Sequence, residues 1–596
     1  MLFPRLQEVS KYRNMTTVFG GYNHQISCQE GQFFDMKNMT SSHFPVLSPR
    51  NKRGIVRQFV NPQGMLDKED LWWIDDKKLY RNGTEVKLEG VELSDEAPKT
   101  MAKMGAYIII MPDRVWCKVK DDEEKLECGY MENKTETRGA TISICEASGK
   151  VIEWHDAEYY KSKEPKDGDY MMSINASGTN SLKVYSATTG IWMTVASTYV
   201  QITAQGIGRG FEKEDGIKIT SNSNQHSLDN IFINKEEDGN YSTNTYIVDR
   251  TNDSVTIPGI FKGDITRFNN LRLTFERKVP EMAFITECNN RLWGCSKDGH
   301  EIYCCKLGDV KNWNCFRGVA TDSWAATIGS DGKFTGAITY LGYPTFFKED
   351  CLIKISVSPN GGHQLKETRC RGVQNGSSRS LTVLNETLYY KAPTSVCGYN
   401  GSLPYSVSEE LGDENYYDAV AGTLGNKYYV SMRNSKGEYS MFAYDYKNGI
   451  WSKEDNAKVL VFCKHKDELY FIDSKDNAMK SVGGTLLYDV PEKAKEDDFD
   501  WYVESGPIGY SSPDNKYVGR ITLRITLEVG TNVGFFIQYD SFGDWEEKLS
   551  MSGTGTRTFS IPFIPKRCDH FRYRIAGHGE CKIHSVTKTI EEGSEG

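Results

Sequence analysis

The chain is poor in proline, with 18 in 596 residues, and has no long apolar run. Its longest apolar stretches, such as Tyr107 to Met111 and Val459 to Cys463, are strand-sized and too short for a membrane-spanning helix. No basic block exceeds Arg50-Asn51-Lys52-Arg53, and 72 Lys and Arg stand against 81 Asp and Glu, a net charge of −9. Tight wrapping of nucleic acid is therefore not expected. The opening MLFPRLQEVSKYRN lacks the apolar centre of a signal peptide, so the chain is expected to fold in a cytoplasm. Fifteen cysteines, an odd number without framework spacing, then read as reduced thiols acting as small buried hydrophobes.

Catalytic signatures are missing as well. The glycine-rich GIGRGFEKEDG at 206–216 lacks the Gly-Lys-Ser/Thr ending that holds phosphate and Mg²⁺, and reads as a turn. There is no G-x-S-x-G elbow and no H-E-x-x-H. Ser296-Lys297-Asp298-Gly299 places its glycine one position too early for a sialidase Asp-box, and no downstream Trp fits. No enzyme activity is expected, and no cofactor.

What is present is β-forming. Aromatics make up 12% of the chain, and 54 glycines supply turns between short strands. One unit recurs seven times: a strand with two or three adjacent large apolar residues, a polar or glycine turn, and a second strand ending in a hydrophobe. It occurs at 71–83, 107–119, 291–305, 345–355, 388–401, 428–445 and 469–482. Asn82-Gly83, Asp298-Gly299, Asp331-Gly332 and Asn448-Gly449 are pairs that tolerate positive φ and close tight turns. The last four units start about 40 to 55 residues apart, the period of four-stranded blades. The expected fold class is all-β, a β-propeller of six or seven blades with an inserted β-rich domain and a C-terminal β-sandwich.

The gap between the second and third units exceeds one blade by roughly 140 residues, so an insertion is expected there. The boundaries read as 1–139 for the first part of the propeller, 140–280 for the inserted domain and 281–495 for the rest of the propeller. A period-two alternation in RITLRITLEV and HFRYRIAG marks a sandwich at 501–592. PEKAKEDDFD at 491–500 reads as a linker and IEEGSEG as a frayed tail.

Two groups of residues have metal-ligand chemistry. Cys288, Cys295, Cys304, Cys305 and Cys315 lack the C-x-x-C pairs that bring two thiolates onto one ion. Adjacent Cys304 and Cys305 must point to opposite faces of one strand, so ordinary packing is expected. Cys568, His570, His578, Cys581 and His584 are the better zinc candidates, although His578 sits in a glycine turn. No metal site is assigned. Trp154 and Trp192 in the insertion could stack on sugars, while core packing is the commoner role of strand tryptophans.

Several stretches resemble a family of bacteriophage and prophage proteins described as phage stabilisation or tail accessory proteins. They are FGGYNHQISCQEGQFFDMKNMTSSHFPVLSPRNKRG at 19–54, RLWGCSKDGHEIYCCKLGDVKNW at 291–313 and SDGKFTGAITYLGYPTFFKEDCLIKI at 330–355, with SPDNKYVGRITLRITLEVGT at 512–531 and RCDHFRYRIAGHGECKIHSVTKTIEEGS at 567–594. The resemblance covers both ends and the middle and leaves out the insertion. It implies a virion component of the phage tail, similar to the podovirus nozzle: a homo-oligomeric ring, six- or twelve-fold, assembled in the bacterial cytoplasm. Such a ring extends the DNA channel below portal and adaptor and docks other tail proteins and fibres. An acidic lumen would let phosphates pass without sticking. The alternative is a receptor- or glycan-binding protein of the tail tip.

Overall fold

The computed structural model describes residues 11–119, 125–174, 180–221, 234–235, 241–259, 271–357, 362–486, 495–509 and 515–592. It is a seven-bladed propeller. Six blades are formed by consecutive four-stranded antiparallel runs at 62–88, 100–130, 282–327, 336–369, 382–406 and 416–453. Blade 7 takes three strands from 459–481 and its outermost strand, Gly54–Gln58, from the other end of the chain. Innermost strands touch from blade to blade, and Val459–His465 of blade 7 touches Pro62–Lys68 of blade 1, which closes the circle.

Each of the seven sequence units is the second and third strand of one blade. The adjacent large residues are explained by the ring. Neighbouring side chains on a strand point to opposite faces, and each blade is covered on both faces by its neighbours. Trp72 packs in the seam with blade 2 beside Ile108 and Ile110, while Trp73 packs with Tyr470 of blade 7. Ile109 joins Leu292 between blades 2 and 3, and Trp293 joins Phe346 between blades 3 and 4. Phe347 meets Tyr390, Tyr389 meets Tyr428, and Tyr429 meets Leu469, which completes the remaining three seams. Fully burying one such side chain is worth about 1.5–3 kcal/mol, so the doublets hold the ring together.

The insertion leaves blade 2 on strand Asn133–Cys145 and returns on Leu271–Arg277, the two pairing antiparallel from Asn133↔Arg277 onward. Its eight-stranded sheet curls until Tyr241–Tyr246 and Ser254–Pro258 touch, around a core of its own that includes Ile142, Phe211, Ile219 and Phe275. A second sheet of four strands, from Trp154–Asp156 to Ile191–Thr194, lies beside it.

The N-terminal boundary needs correcting. Residues 11–49 are not propeller. Lys11–Thr16 is an edge strand of the C-terminal sandwich, paired with residues 586–591. Gly21–Tyr22 extends blade 6, and Gln32–Lys37 pairs with Asp500–Ser505 of the sandwich. One ten-stranded sheet thus runs from blade 6 through these two short strands into the sandwich. Pairings across several hundred residues leave no local signal, which is why contiguity misled the reading. The stretch at 491–500 is also no loose linker where it is described: Glu496 accepts from the Arg53 backbone N–H at 2.8 Å and ion-pairs with Arg50. Ile590 and Glu591 of the expected frayed tail sit in the strand Cys581–Glu592, and 593–596 lie outside the described residues.

Candidate functional site: the propeller channel

The innermost strands enclose a cavity of about 960 Å³ on the propeller axis. Met282 to Ile285 of blade 3, Val420 to Thr423 of blade 6 and Lys458 to Phe462 at blade 7 contribute to its wall. Arg379 crosses it. This residue lies in the single 3₁₀ turn Ser378–Ser380 before blade 5. Its Nη1 donates to the Leu460 carbonyl of blade 7 at 2.8 Å, and its Nη2 lies 3.4 Å from the Lys99 carbonyl at the start of blade 2. The guanidinium therefore bridges blades on different sides of the axis. Burial pushes its pKa down to about 10, which leaves it charged at neutral pH.

The two carboxylates on the wall are each held by a cation: Glu281 lies 3.4 Å from Lys297 and Asp418 lies 2.7 Å from Arg433. Their side chains are 71% and 45% exposed. Neither has the apolar enclosure that turns a carboxyl into a general acid. Two wall cations are matched by acids set behind them, Lys99 by Asp113 and Arg114 by Glu132, both at 2.6 Å. Arg379, Lys458 and Lys464 have no ion-pair partner among the described residues.

The zinc candidates do not converge. Cys568 and Cys581 are buried in the core shared by the sandwich and blade 6. His570 pairs with Asp569 at 2.9 Å and lies 2.8 Å from the Ser541 hydroxyl. His578 is 3.1 Å from Asp500, and His584 is 2.7 Å from the Thr526 hydroxyl. Among the described residues no three His, Cys, Asp or Glu side chains are grouped to hold a metal. Cys304 and Cys305 do point apart, one into the seam of blades 3 and 4 and the other into that of blades 2 and 3. Burial raises both thiols, Cys304 to about 11. Cys288, Cys295 and Cys315 are likewise buried. One pair departs from the reduced reading: Cys117 and Cys128 face each other across neighbouring strands of blade 2 as a disulfide, Cα atoms 4.2 Å apart. A directly opposed antiparallel pair brings Cα atoms to about this spacing.

The tryptophans of the insertion divide. Trp154 packs against its core. Trp192 is half-buried in an aromatic group on the outer four-stranded sheet, 4.9 Å from Tyr160 and 5.2 Å from Tyr185, with His155 stacked on Tyr159 at 3.7 Å. The turn at Ser296-Lys297-Asp298-Gly299 is closed by the Ser296 hydroxyl and the Asp298 carboxylate, which accept the backbone N–H groups of His300 and Glu301. The glycine-rich stretch at 206–216 is a turn region, and the carboxylate of its Asp215 meets Arg277 in a buried pair. Arg379 carried no sequence signal, because a lone arginine in Gly-Ser-Ser-Arg-Ser is indistinguishable from a loop residue.

No protein-family model matches the chain, and no curated protein matches it. Among solved structures, an exo-β-1,3-galactanase from Phanerochaete chrysosporium in complex with galactose is similar at 9% identity and a TM-score of 0.22, covering 52% of this chain and 96% of that one. Apo AztD from Citrobacter koseri is similar at 10% identity and the same TM-score, covering 67% of this chain and 93% of its own. At these values neither structure attaches an activity to this protein. No helix among the described residues is long and apolar enough to cross a membrane.

Proposed function

We propose that the protein is a structural component of a bacteriophage tail, a nozzle-like ring subunit without catalytic activity that extends the DNA channel and docks other tail parts. The observation that carries this reading is the continuity of the fold. The ten-stranded sheet joins blade 6 to the sandwich without a break, while the insertion forms a sheet of its own, closed at its base by the pair Asn133↔Arg277. Sheets that continue between bodies transmit load, as a tail component requires. The stretches resembling phage proteins fall on this framework: 19–54 stitches sandwich to blades 6 and 7, and 291–313 and 330–355 build blades 3 and 4. DNA could not follow the propeller axis, because Arg379 bars it. It would pass between copies, six in a ring closed by head-to-tail contacts. Cryo-electron microscopy of purified particles, with the protein confirmed by mass spectrometry, tests this. A ring on the tail axis supports it, and absence from the particles refutes it.

A second reading, a glycan-binding tail-tip protein, is favoured by the aromatic group around Trp192, since exposed aromatic faces stack on sugars. Peripheral density in the same particles, with glycan binding abolished by Trp192→Ala, would move the assignment there.

A further inference from the structure

The channel combines an axial position, room for a ligand and a charge excess of the opposite sign to that of the chain. Its volume is within the range of small-molecule sites, about 300–1,000 Å³. The whole chain carries −9, yet once each ion pair is set aside the wall retains three cations, Arg379, Lys458 and Lys464, and no unmatched carboxylate among the described residues. A buried charge is costly unless paired and hydrogen-bonded. Two carbonyls engage only part of the Arg379 guanidinium, which has five N–H donors in a planar fork. The free donors match a carboxylate or phosphate group taken bidentately. Lys458 lies two residues before Leu460, the residue whose carbonyl anchors that fork, so a second cation enters the wall beside it.

We propose that the propeller channel binds a small multivalent oxyanion, a compound bearing phosphate or carboxylate groups, held by Arg379 and flanked by Lys458. Binding would lock the circle from within, because Arg379 already spans from the turn before blade 5 to blades 7 and 2.

The test is isothermal titration of the full-length protein with citrate and, separately, with pyrophosphate, in chloride buffer of constant ionic strength. The expected result is saturable binding of at least one of them at one site per chain. Citrate alone would mark a carboxylate ligand and pyrophosphate alone a phosphate ligand. Arg379→Gln should weaken binding about tenfold or more, since hydrogen bonds to charged groups are worth about 1.5–3 kcal/mol. Lys458→Gln should weaken it less, and Lys213→Gln, on the insertion, should leave it unchanged. If Arg379→Gln does not fold, Lys458→Gln, at an exposed position, carries the test. The proposal is overturned if the wild-type protein binds neither anion at millimolar concentration, or if the folded channel variants bind as tightly as wild type.

Discussion

At the scale of single residues, buried charges do much of the joining. Arg53 is almost fully buried where blades 6 and 7 meet the N-terminal segment. It donates to Glu454 at 2.5 Å, to Asp455 at 3.0 Å and to the Val482 carbonyl at 3.0 Å. Replacing it with Met would leave Glu454 buried and uncompensated, at a cost of about 3–5 kcal/mol. Arg53→Met should therefore lower the urea midpoint of the propeller, followed by tryptophan fluorescence. Its pH signature has a definite sign. Burial raises the Asp455 pKa, but Arg53, Arg50 and the Ala457 N–H outweigh it, so the folded value lies below the ordinary one. That contribution is fully present above the unfolded carboxylate pKa of about 3.9 and is lost as pH falls through the folded value. In Arg53→Met that pH-dependent contribution is absent, so the acid limb of the melting curve should be shallower and approach wild type at low pH. A limb as steep as that of wild type would mean that Asp455 is held by other groups. The same device recurs along the ring. At the end of the second strand, Asp75 accepts the backbone N–H groups of Val60 and Asn61, and Asp473 accepts those of Lys458 and Lys475. At matching positions Lys348 and Lys391 donate to loop carbonyls.

At the scale of elements, the second and third strands of every blade were legible because burial on both faces forces adjacent apolar residues, a pattern that survives without an alignment. The innermost strands were not, since one end of each faces the channel and carries residues such as Lys99, Glu281 and Lys458. The closing strand Gly54–Gln58 was invisible because its sequence, GIVRQ, acquires meaning only from pairing with residues 478–481. The channel site was illegible for the same reason, its parts coming from strands hundreds of residues apart. The cysteine pair at 117 and 128 was masked by the compartment argument, although its positions face each other in blade 2. Alkylation in denaturant without reductant should label the thirteen free cysteines and spare Cys117 and Cys128, read by peptide mass. Full labelling would show the pair reduced. In the chain-entropy model a loop of this size contributes about 3 kcal/mol, so Cys117→Ser with Cys128→Ser should soften blade 2 in oxidised protein alone. The insertion is an element of a different kind. Its ends are strand partners at Asn133 and Arg277 and its core is separate. It docks on blade 3 through Lys306 and Arg317 on Glu214 and through Lys311 on Glu212. Such partly exposed pairs are worth about 0–1 kcal/mol each. Excising 133–277 with a short glycine turn should leave the propeller folded, its melting midpoint within a few degrees. A collapse of the transition would show that the insertion supports the ring.

At the scale of the whole molecule, the two chain ends are interlocked, and this decides how the protein holds together. The N-terminal segment does three jobs in sequence: residues 11–16 border the sandwich, residues 21–37 join the sandwich sheet to blade 6, and residues 54–58 complete blade 7. Removing it in steps separates these roles. Among the described residues, a chain lacking residues 1–18 loses an edge strand of the sandwich, leaving the ring closed and exposing the far side of residues 586–591. It should remain monodisperse, with a modest loss in the transition of the sandwich. A chain lacking residues 1–58 loses the outermost strand of blade 7, the bridge to the sandwich, and with Arg50 and Arg53 the partners of Glu454, Asp455 and Glu496. One buried and two partly buried carboxylates without cations, with two opened sheet edges, are more than a ring of marginal stability tolerates. That chain should aggregate or be cleaved rapidly between blades 6 and 7 in limited proteolysis, and adding the peptide 19–58 in trans should restore protection. Equal behaviour of the two truncations would show that the circle is held by the seams between blades alone.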